Sequence, residues 1–565
     1  MSVGRLATAL ILTVIMLLPS VATSQNPVRI APFEETSIYL NETIIGDTLA
    51  NGARRDPDAV YVLQRGKIYL ANALMRNTGW TIRIKANDSV GTTDKPIVFL
   101  YPNPTTQLPP GQLIDMRGDA VISNLLISGY FELLPENVSG LQGGLIQTSA
   151  AGLNLTIDSC ILLNTNGNHV RTNSAPRNVL ITNCVFGNMG YLGRSNLGAG
   201  KAIDLRAGSV DTMLVLNCTF VNWQDRIIRH FSSTANIGFL RFEHNTMVNG
   251  MSYHGLLSLG RMGYRGIIRD NLFVDGFALG QDSDAVRQAE FTDSDEKDAF
   301  DGPRMTWIFS VPNDSTQWTV DHNFYEVTAA GQSFYDSASI LPIVADPPLV
   351  VGSPLTYHIN GRIADSTTAF QLTDATLPNV PDLMVAMMKW YRRPAAPPDS
   401  GSGKTKVTTT WKSQFDFDRR GYQYFSDTLD CAYSTGNALY TAGLGGYPVG
   451  DLNWFPSRKA AWLADPISSV AAGGQVPAAF SLSQNYPNPF NPSTHIDFTL
   501  ATASKVTLEV FDVLGRHVAT LITGENRGAG KHSVTFNAAG LASGVYLYRL
   551  STGTAVATAK MMLLK

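Results

Sequence analysis

Ile157-Asp158-Ser159-Cys160-Ile161-Leu162 is followed by Ile181-Thr182-Asn183-Cys184-Val185-Phe186, Val215-Leu216-Asn217-Cys218-Thr219-Phe220, Phe242-Glu243-His244-Asn245-Thr246-Met247, Ile268-Arg269-Asp270-Asn271-Leu272-Phe273 and Val320-Asp321-His322-Asn323-Phe324-Tyr325. Each copy opens on an apolar residue and carries Ser, Asn, His or Asp third. Cys or Asn stands fourth, and an apolar or aromatic residue sixth. Val121-Ile122-Ser123-Asn124-Leu125-Leu126 is a weaker, earlier copy. The fourth position falls at 160, 184, 218, 245, 271 and 323, with gaps of 24, 34, 27, 26 and 52. The gap of 34 contains the Gly-rich insertion Gly190 to Gly200, and 52 is twice 26. A recurrence of this length signals a stacked solenoid. The unit has short β-rich strands and polar turns without a helical period, so the expected fold is a right-handed parallel β-helix.

In such a stack, equivalent strands pair one coil above and below at about 4.8 Å. Ile157, Ile181 and Val215 are expected to form one inward stack with Phe242, Ile268 and Val320. The Cys/Asn column forms a second. There, Asn can donate its amide to a neighbouring coil's carbonyl, and Cys packs as a small hydrophobe. Neighbouring coils bring Cys160 and Cys184 within reach of a disulfide, with two packed free thiols as the alternative. The first coils are read over Leu70 to Leu100, with strands at Trp80–Ile84 and Pro96–Leu100. Leu383 to Tyr391 reads as a short helix, and 395–404 as a loop or linker. Residues 405–465 are placed back on the distal end, with a separate small domain as the alternative.

Composition agrees with an all-β chain. The 565 residues carry a net charge of −3, only 16% charged residues, 49 Gly and 29 Pro. A net-acidic chain argues against a general electrostatic nucleic-acid binder. Four Cys in this length exclude a disulfide scaffold. Residues 1–24 read as a secretory signal: Arg5, an apolar run from Leu6 to Leu18, Pro19, and a small-residue site before Gln25. The run is too short to span a bilayer, so no transmembrane segment is expected in the mature chain. The organisation is then signal peptide 1–24, β-helix 25–465, linker 466–478 and a C-terminal domain 479–565.

That last domain alternates with period two. Ile496, Phe498 and Leu500 share a face, as do Val506, Leu508 and Val510, then Val534 with Phe536, and Val545 with Leu547. Regular turns between them predict a small antiparallel β-sandwich. The stretch Asn485-Tyr486-Pro487-Asn488-Pro489-Phe490-Asn491-Pro492, the "VTLEVFDVLGRHVATL" strands and the terminal "KMMLLK" resemble the C-terminal sorting domain of type IX secretion substrates. The resemblance implies a Gram-negative bacterium, a secreted or cell-surface destination and the outer-membrane type IX machinery as partner. An immunoglobulin-like accessory module is the alternative. Either way the domain is silent about the cargo's chemistry.

The repeats, with Asp56-Pro57-Asp58-Ala59-Val60-Tyr61-Val62-Leu63 at their start and "NALYTAGLGGYPVGD" (437–451) near their end, are similar to the pectate-lyase-like, chondroitinase-B-like β-helix proteins. The resemblance implies a groove for an acidic polysaccharide. Lyases of this kind need a base for the proton α to a uronate carboxyl group, and a cation for the enolate-like charge. The best candidates lie between Lys201 and Arg269. Counting back from the Cys/Asn column puts Lys201, Arg229 and His254 in one column within a single-residue shift. Lys201 or His254 would be the base, with Arg226 and Arg229 holding the carboxylate. Asp204, Arg206, Asp225, His230 and Arg261 are candidate substrate contacts. A ladder of charges paired between coils is the competing reading. Asp282, Asp284, Asp293, Asp295 and Glu296 form an acidic loop that offers oxygen ligands for Ca²⁺, or is simply solvated. Trp223 and Tyr264 would favour glycan binding if exposed, and ordinary packing if not. Two functions are therefore expected: cleavage of an acidic polysaccharide by β-elimination, or a non-catalytic glycan-binding or structural surface protein.

Overall fold

The structure is a computed structural model. It describes residues 26–564 apart from 89–91, 130–142, 191–199, 207, 231–234, 251–254, 277–307, 312, 314–315, 339–355, 358–368, 382–423, 466–480, 483–484, 486, 501–503, 513–515, 528–529 and 553–555. The signal segment, the Leu383–Tyr391 helix, the 395–404 loop, the 466–478 linker, the acidic loop and His254 all lie outside the described residues.

The repeats stack as parallel strands in two large sheets, of 18 and 10 strands, consistent with a right-handed β-solenoid. The larger sheet contains two ladders that merge at the Leu257–Arg269 strand. A rung thus runs through three short strands, such as Asn168–Thr172, Asn178–Thr182 and Val185–Met189. Each strand pairs only with its equivalents one rung away. Ile157 pairs in register with Ile181, Ile181 with Val215, Val215 with Phe242, Phe242 with Ile268, and Ile268 with Val320. All six are buried in one continuous core. The rings of Phe186 and Phe220 stack at 5.0 Å between centroids, and Phe220 stacks in turn on Phe242 of that column at 6.3 Å.

The motif has a backbone cause. Its third residue takes the left-handed conformation in every copy: Ser159, Asn183, Asn217, His244, Asp270 and His322 have φ between 50° and 58°. Short polar side chains reach this region at the least cost, which explains the residue choice. The fourth residue then turns inward. Asn245 Nδ2 donates to the Val215 carbonyl (2.9 Å), and Asn245 Oδ1 accepts the Cys218 N–H (3.0 Å). Asn271 and Asn323 repeat the pattern one rung further each. Cys160, Cys184 and Cys218 occupy the same column as buried free thiols, so Cys160 and Cys184 are not bridged.

Several expectations need correction. The weak copy is displaced by one residue: Ile122, not Val121, pairs with Ile157, and Asn124 is the left-handed residue. The gap of 52 is one long rung, because Arg265–Arg269 pairs directly with Gln317–Asp321. The solenoid also starts earlier than Leu70. Pro27–Ile30 pairs with Val60–Leu63, and the Leu40–Gly46 helix buries Leu40 and Ile44 in the first rungs. Residues 429–464 meet the distal rungs at one end, where Asp430 bridges Asn379 and Asn437 donates to the Asp374 carbonyl, and do not stop there. They run as a strap along the flank, where Leu439, Val449 and Phe455 cover Val221, Val248 and Leu272 on the outer face of the ten-stranded sheet. Apolar residues on that outer face require such a cover.

The C-terminal unit has a three-stranded and a four-stranded antiparallel sheet around its own core, resembling a sandwich. Ile496, Phe498, Leu500, Val506, Leu508 and Val510 are buried as read. The fourth set is out of phase: Tyr546, Tyr548 and Leu550 point inward and Val545 is exposed. A one-residue phase error exchanges the two faces of a strand.

Candidate functional site

The strands Lys201–Leu205 and Arg226–His230 lie side by side in the larger sheet. Lys201 pairs with Arg226, whereas Arg229 pairs with Asp204 on one side and Ser258 on the other. The expected Lys201–Arg229 column is therefore replaced by two columns three residues apart, Lys201 with Arg226 and Asp204 with Arg229. The reason is a length difference in the connection to the next strand. Lys201 precedes its rung's Thr212 by 11 residues, but Arg226 precedes the paired Phe239 by 13. Counting back through that connection shifts the register.

These charges pair with one another. Lys201 Nζ lies 2.5 Å from Asp225, and Arg226 lies 3.8 Å from the same carboxylate. Arg229 grips Asp204 with two hydrogen bonds of 2.7 and 2.9 Å, and Asn168 donates to Asp204 at 3.1 Å. Lys201, Asp204, Asp225, Arg226 and His230 are buried, and His230 Nε2 sits 3.3 Å from the Gly208 carbonyl oxygen. Burial drives the Lys201 ammonium below the usual lysine range, with Asp225 opposing the shift. The corner opens outward through Arg229, half-buried Arg171 and exposed Arg206. Burial also lowers Arg171, and the guanidinium groups of Arg206 and Arg229 add to the effect, so the three are electrostatic neighbours.

Arg171 and Asn168 were not among the expected residues. They share register with Asp204 and Lys201, but the Gly-rich insertion between the rungs hides this in a linear count. Arg261 is exposed on the Leu257–Arg269 strand and pairs with Asn236 rather than with the corner strands. Trp223 is wholly buried in the core, and half-buried Tyr264 stacks on Phe239 at 6.0 Å. Ordinary packing accounts for both.

A second cluster stands in the motif itself. Glu243, His244 and Asp270 are all buried, and one ligand atom from each lies within 4.8 Å of the others. The cluster is capable of coordinating a metal ion. Arg241 pairs with Glu243, and His244 Nε2 lies 3.5 Å from Asp270 Oδ2. Burial pushes His244 down to about 4 and, with Glu243 nearby, pushes Asp270 up to about 8. The strap seals this cluster. Leu444 N–H donates to Asp270 Oδ1 (2.9 Å), and Trp462 packs edge-on against the His244 ring. His and Asp at the same motif position in consecutive copies were the available signal.

Residues 484–564 match the family model described as Secretion system C-terminal sorting domain. The protein is secreted or displayed at the cell surface by the type IX system of a Bacteroidetes-type Gram-negative bacterium. The match covers the antiparallel unit only, so it assigns the destination and leaves the solenoid's chemistry to its own residues. Neither a curated protein nor a solved structure matches the chain. Among the described residues, no helix is long and apolar enough to cross a membrane.

Proposed function

We propose that the protein is an exported right-handed parallel β-helix that binds an acidic polysaccharide at the corner formed by Arg171, Lys201, Asp204, Arg206, Asp225, Arg226 and Arg229. The supporting observation is the charge balance. These side chains comprise five cations and two carboxylates in a chain whose net charge is −3. Arg206 and Arg171 extend that surplus to solvent, where a planar guanidinium suits a uronate carboxylate or a sulfate. Cations this close together are held by the Asp204 and Asp225 carboxylates, which offset their mutual repulsion and leave a net positive field.

One observation favours a second reading, β-elimination. Lys201 is buried with a lowered proton affinity and stands in register with Arg226. A desolvated lysine is a suitable base, and an adjacent guanidinium suits the developing enolate-like charge. The test measures binding to, and release of unsaturated uronates from, polygalacturonate, alginate and chondroitin sulfate. The proposal expects micromolar to millimolar binding to at least one of them, weakened at least fivefold by Arg206→Gln. Ultraviolet absorbance that grows with time and vanishes in Lys201→Ala supports the lyase reading. Binding without that absorbance leaves the non-catalytic reading. No binding to any acidic glycan overturns both.

A further inference from the structure

The sealed Glu243–His244–Asp270 cluster is separate from the basic corner, and its geometry points to a ligand. Both ring nitrogens of His244 and the Oδ2 of Asp270 are buried without a well-formed hydrogen bond; Nε2 and Oδ2 face each other at 3.5 Å, and the ring's other neighbours are the Pro448 and Gly450 main chain of the strap. His244 has no exposed surface and Asp270 is 1% exposed. A buried polar atom without a good hydrogen bond costs up to about 1–3 kcal/mol, so three such atoms converging in one place suit a bound ligand. The backbone explains how the atoms come to face each other. His244 and Asp270 occupy the left-handed position of consecutive rungs, with φ of 50° and 54°, and the solenoid's register stacks them.

We infer that this cluster binds a divalent transition metal of the zinc class, which fixes the 443–451 segment of the strap to the solenoid. Two ligands at about 2.0–2.1 Å from a tetrahedral ion stand roughly 3.4 Å apart. His244 Nε2 and Asp270 Oδ2 are 3.5 Å apart. Glu243 completes a nitrogen-and-two-carboxylate set, a donor combination suited to Zn²⁺. Arg241 occupies only one oxygen of that carboxylate, Oε2. Ca²⁺ wants six to eight oxygens, and Mg²⁺ keeps several waters, so a sealed site with an imidazole disfavours both. The ion would act through Asp270, whose Oδ1 and main-chain oxygen already accept the N–H groups of Leu444 and Gly450.

The test uses the full chain, purified after refolding with and without Zn²⁺ and then dialysed. Elemental analysis should find about one Zn²⁺ per chain. Zn²⁺, but not Ca²⁺, should raise the melting temperature by several degrees, and a chelator should reverse this. Asp270→Asn keeps the Oδ1 acceptor for Leu444 and should still fold, yet lose at least tenfold in zinc affinity. Co²⁺ substitution should give visible ligand-field bands without thiolate charge transfer, since no cysteine takes part. Zinc-free chain with a melting temperature indifferent to Zn²⁺ overturns the inference. So does uptake that survives Asp270→Asn, or a thiolate band, either of which would put the metal elsewhere.

Discussion

The chain carries two charged clusters within 70 residues of each other, and they are built on different parts of the rung. The corner around Lys201 and Arg229 has strand residues in two register columns, a surplus of cations and a way out to solvent through Arg206. The cluster around His244 sits on the left-handed turn, has two carboxylates and is sealed by the strap. A solenoid repeats its backbone, so what distinguishes the two is the cover. Strap residues turn one into an interior site, whereas the other keeps arginine at the surface. An open cationic site suits a polymer, and a closed site with unsatisfied ligand atoms suits an ion.

The largest expected effect breaks the scaffold that both clusters share. Phe220→Ala opens the ring stack between Phe186 and Phe242 and should cost about 3–5 kcal/mol of stability. Chemical denaturation of the full chain measures it. Both clusters should be affected, because the stack spans the rungs of the corner and ends at Phe242, on the strand that carries Glu243.

A change of similar size should touch the strap alone. Asp451 is buried and held at about 6 by burial, although it accepts from Thr219 Oγ1 and the Asn453 N–H. Its folded value lies above its unfolded one, so the folded state binds the extra proton. Stability is then fullest below about pH 4 and declines as pH rises to about 6, by up to about 3 kcal/mol from this one group. Asp451→Asn should flatten that part of the pH–stability curve. Persistence of the decline in the variant would assign it to another group.

A smaller effect separates the two halves of the inner column. Asn245→Cys copies the residue of the previous rungs but removes the acceptor for the Cys218 N–H and the donor to the Val215 carbonyl. It should cost about 2 kcal/mol. Cys218→Ala should cost less, because its thiol donates only weakly to the Leu216 and Ile181 carbonyls. Equal losses would mean that the asparagines act by volume and not by hydrogen bonding.

Much of this was legible in the linear pattern. The Ile157-to-Val320 column emerged whole because each copy of the motif carries its own register mark. The left-handed turn was present in the same letters, in the Ser/Asn/His/Asp third position. A second ladder was present too: Asn164, Asn188, Asn222 and Asn249 each follow the Cys/Asn column by four residues, and each later one donates its amide to the one before. The site columns were less legible, because they lie across a connection whose length changes from rung to rung. The strap was illegible as such. Its contacts with Thr219, Thr246 and Asp270 span more than 170 residues, and nothing periodic links Leu444 to Asp270. Tyr546 and Tyr548 were missed because a strand of alternating large residues does not declare which face is inward.

The most direct test contrasts charge reversal at two exposed arginines of the same solenoid, Arg206 at the corner and Arg117 on an early rung. Binding of the full chain to the best acidic glycan is titrated for each variant at one fixed salt concentration. The account predicts a loss of at least tenfold for Arg206→Glu and less than twofold for Arg117→Glu. Equal losses, or none in either variant, would contradict it.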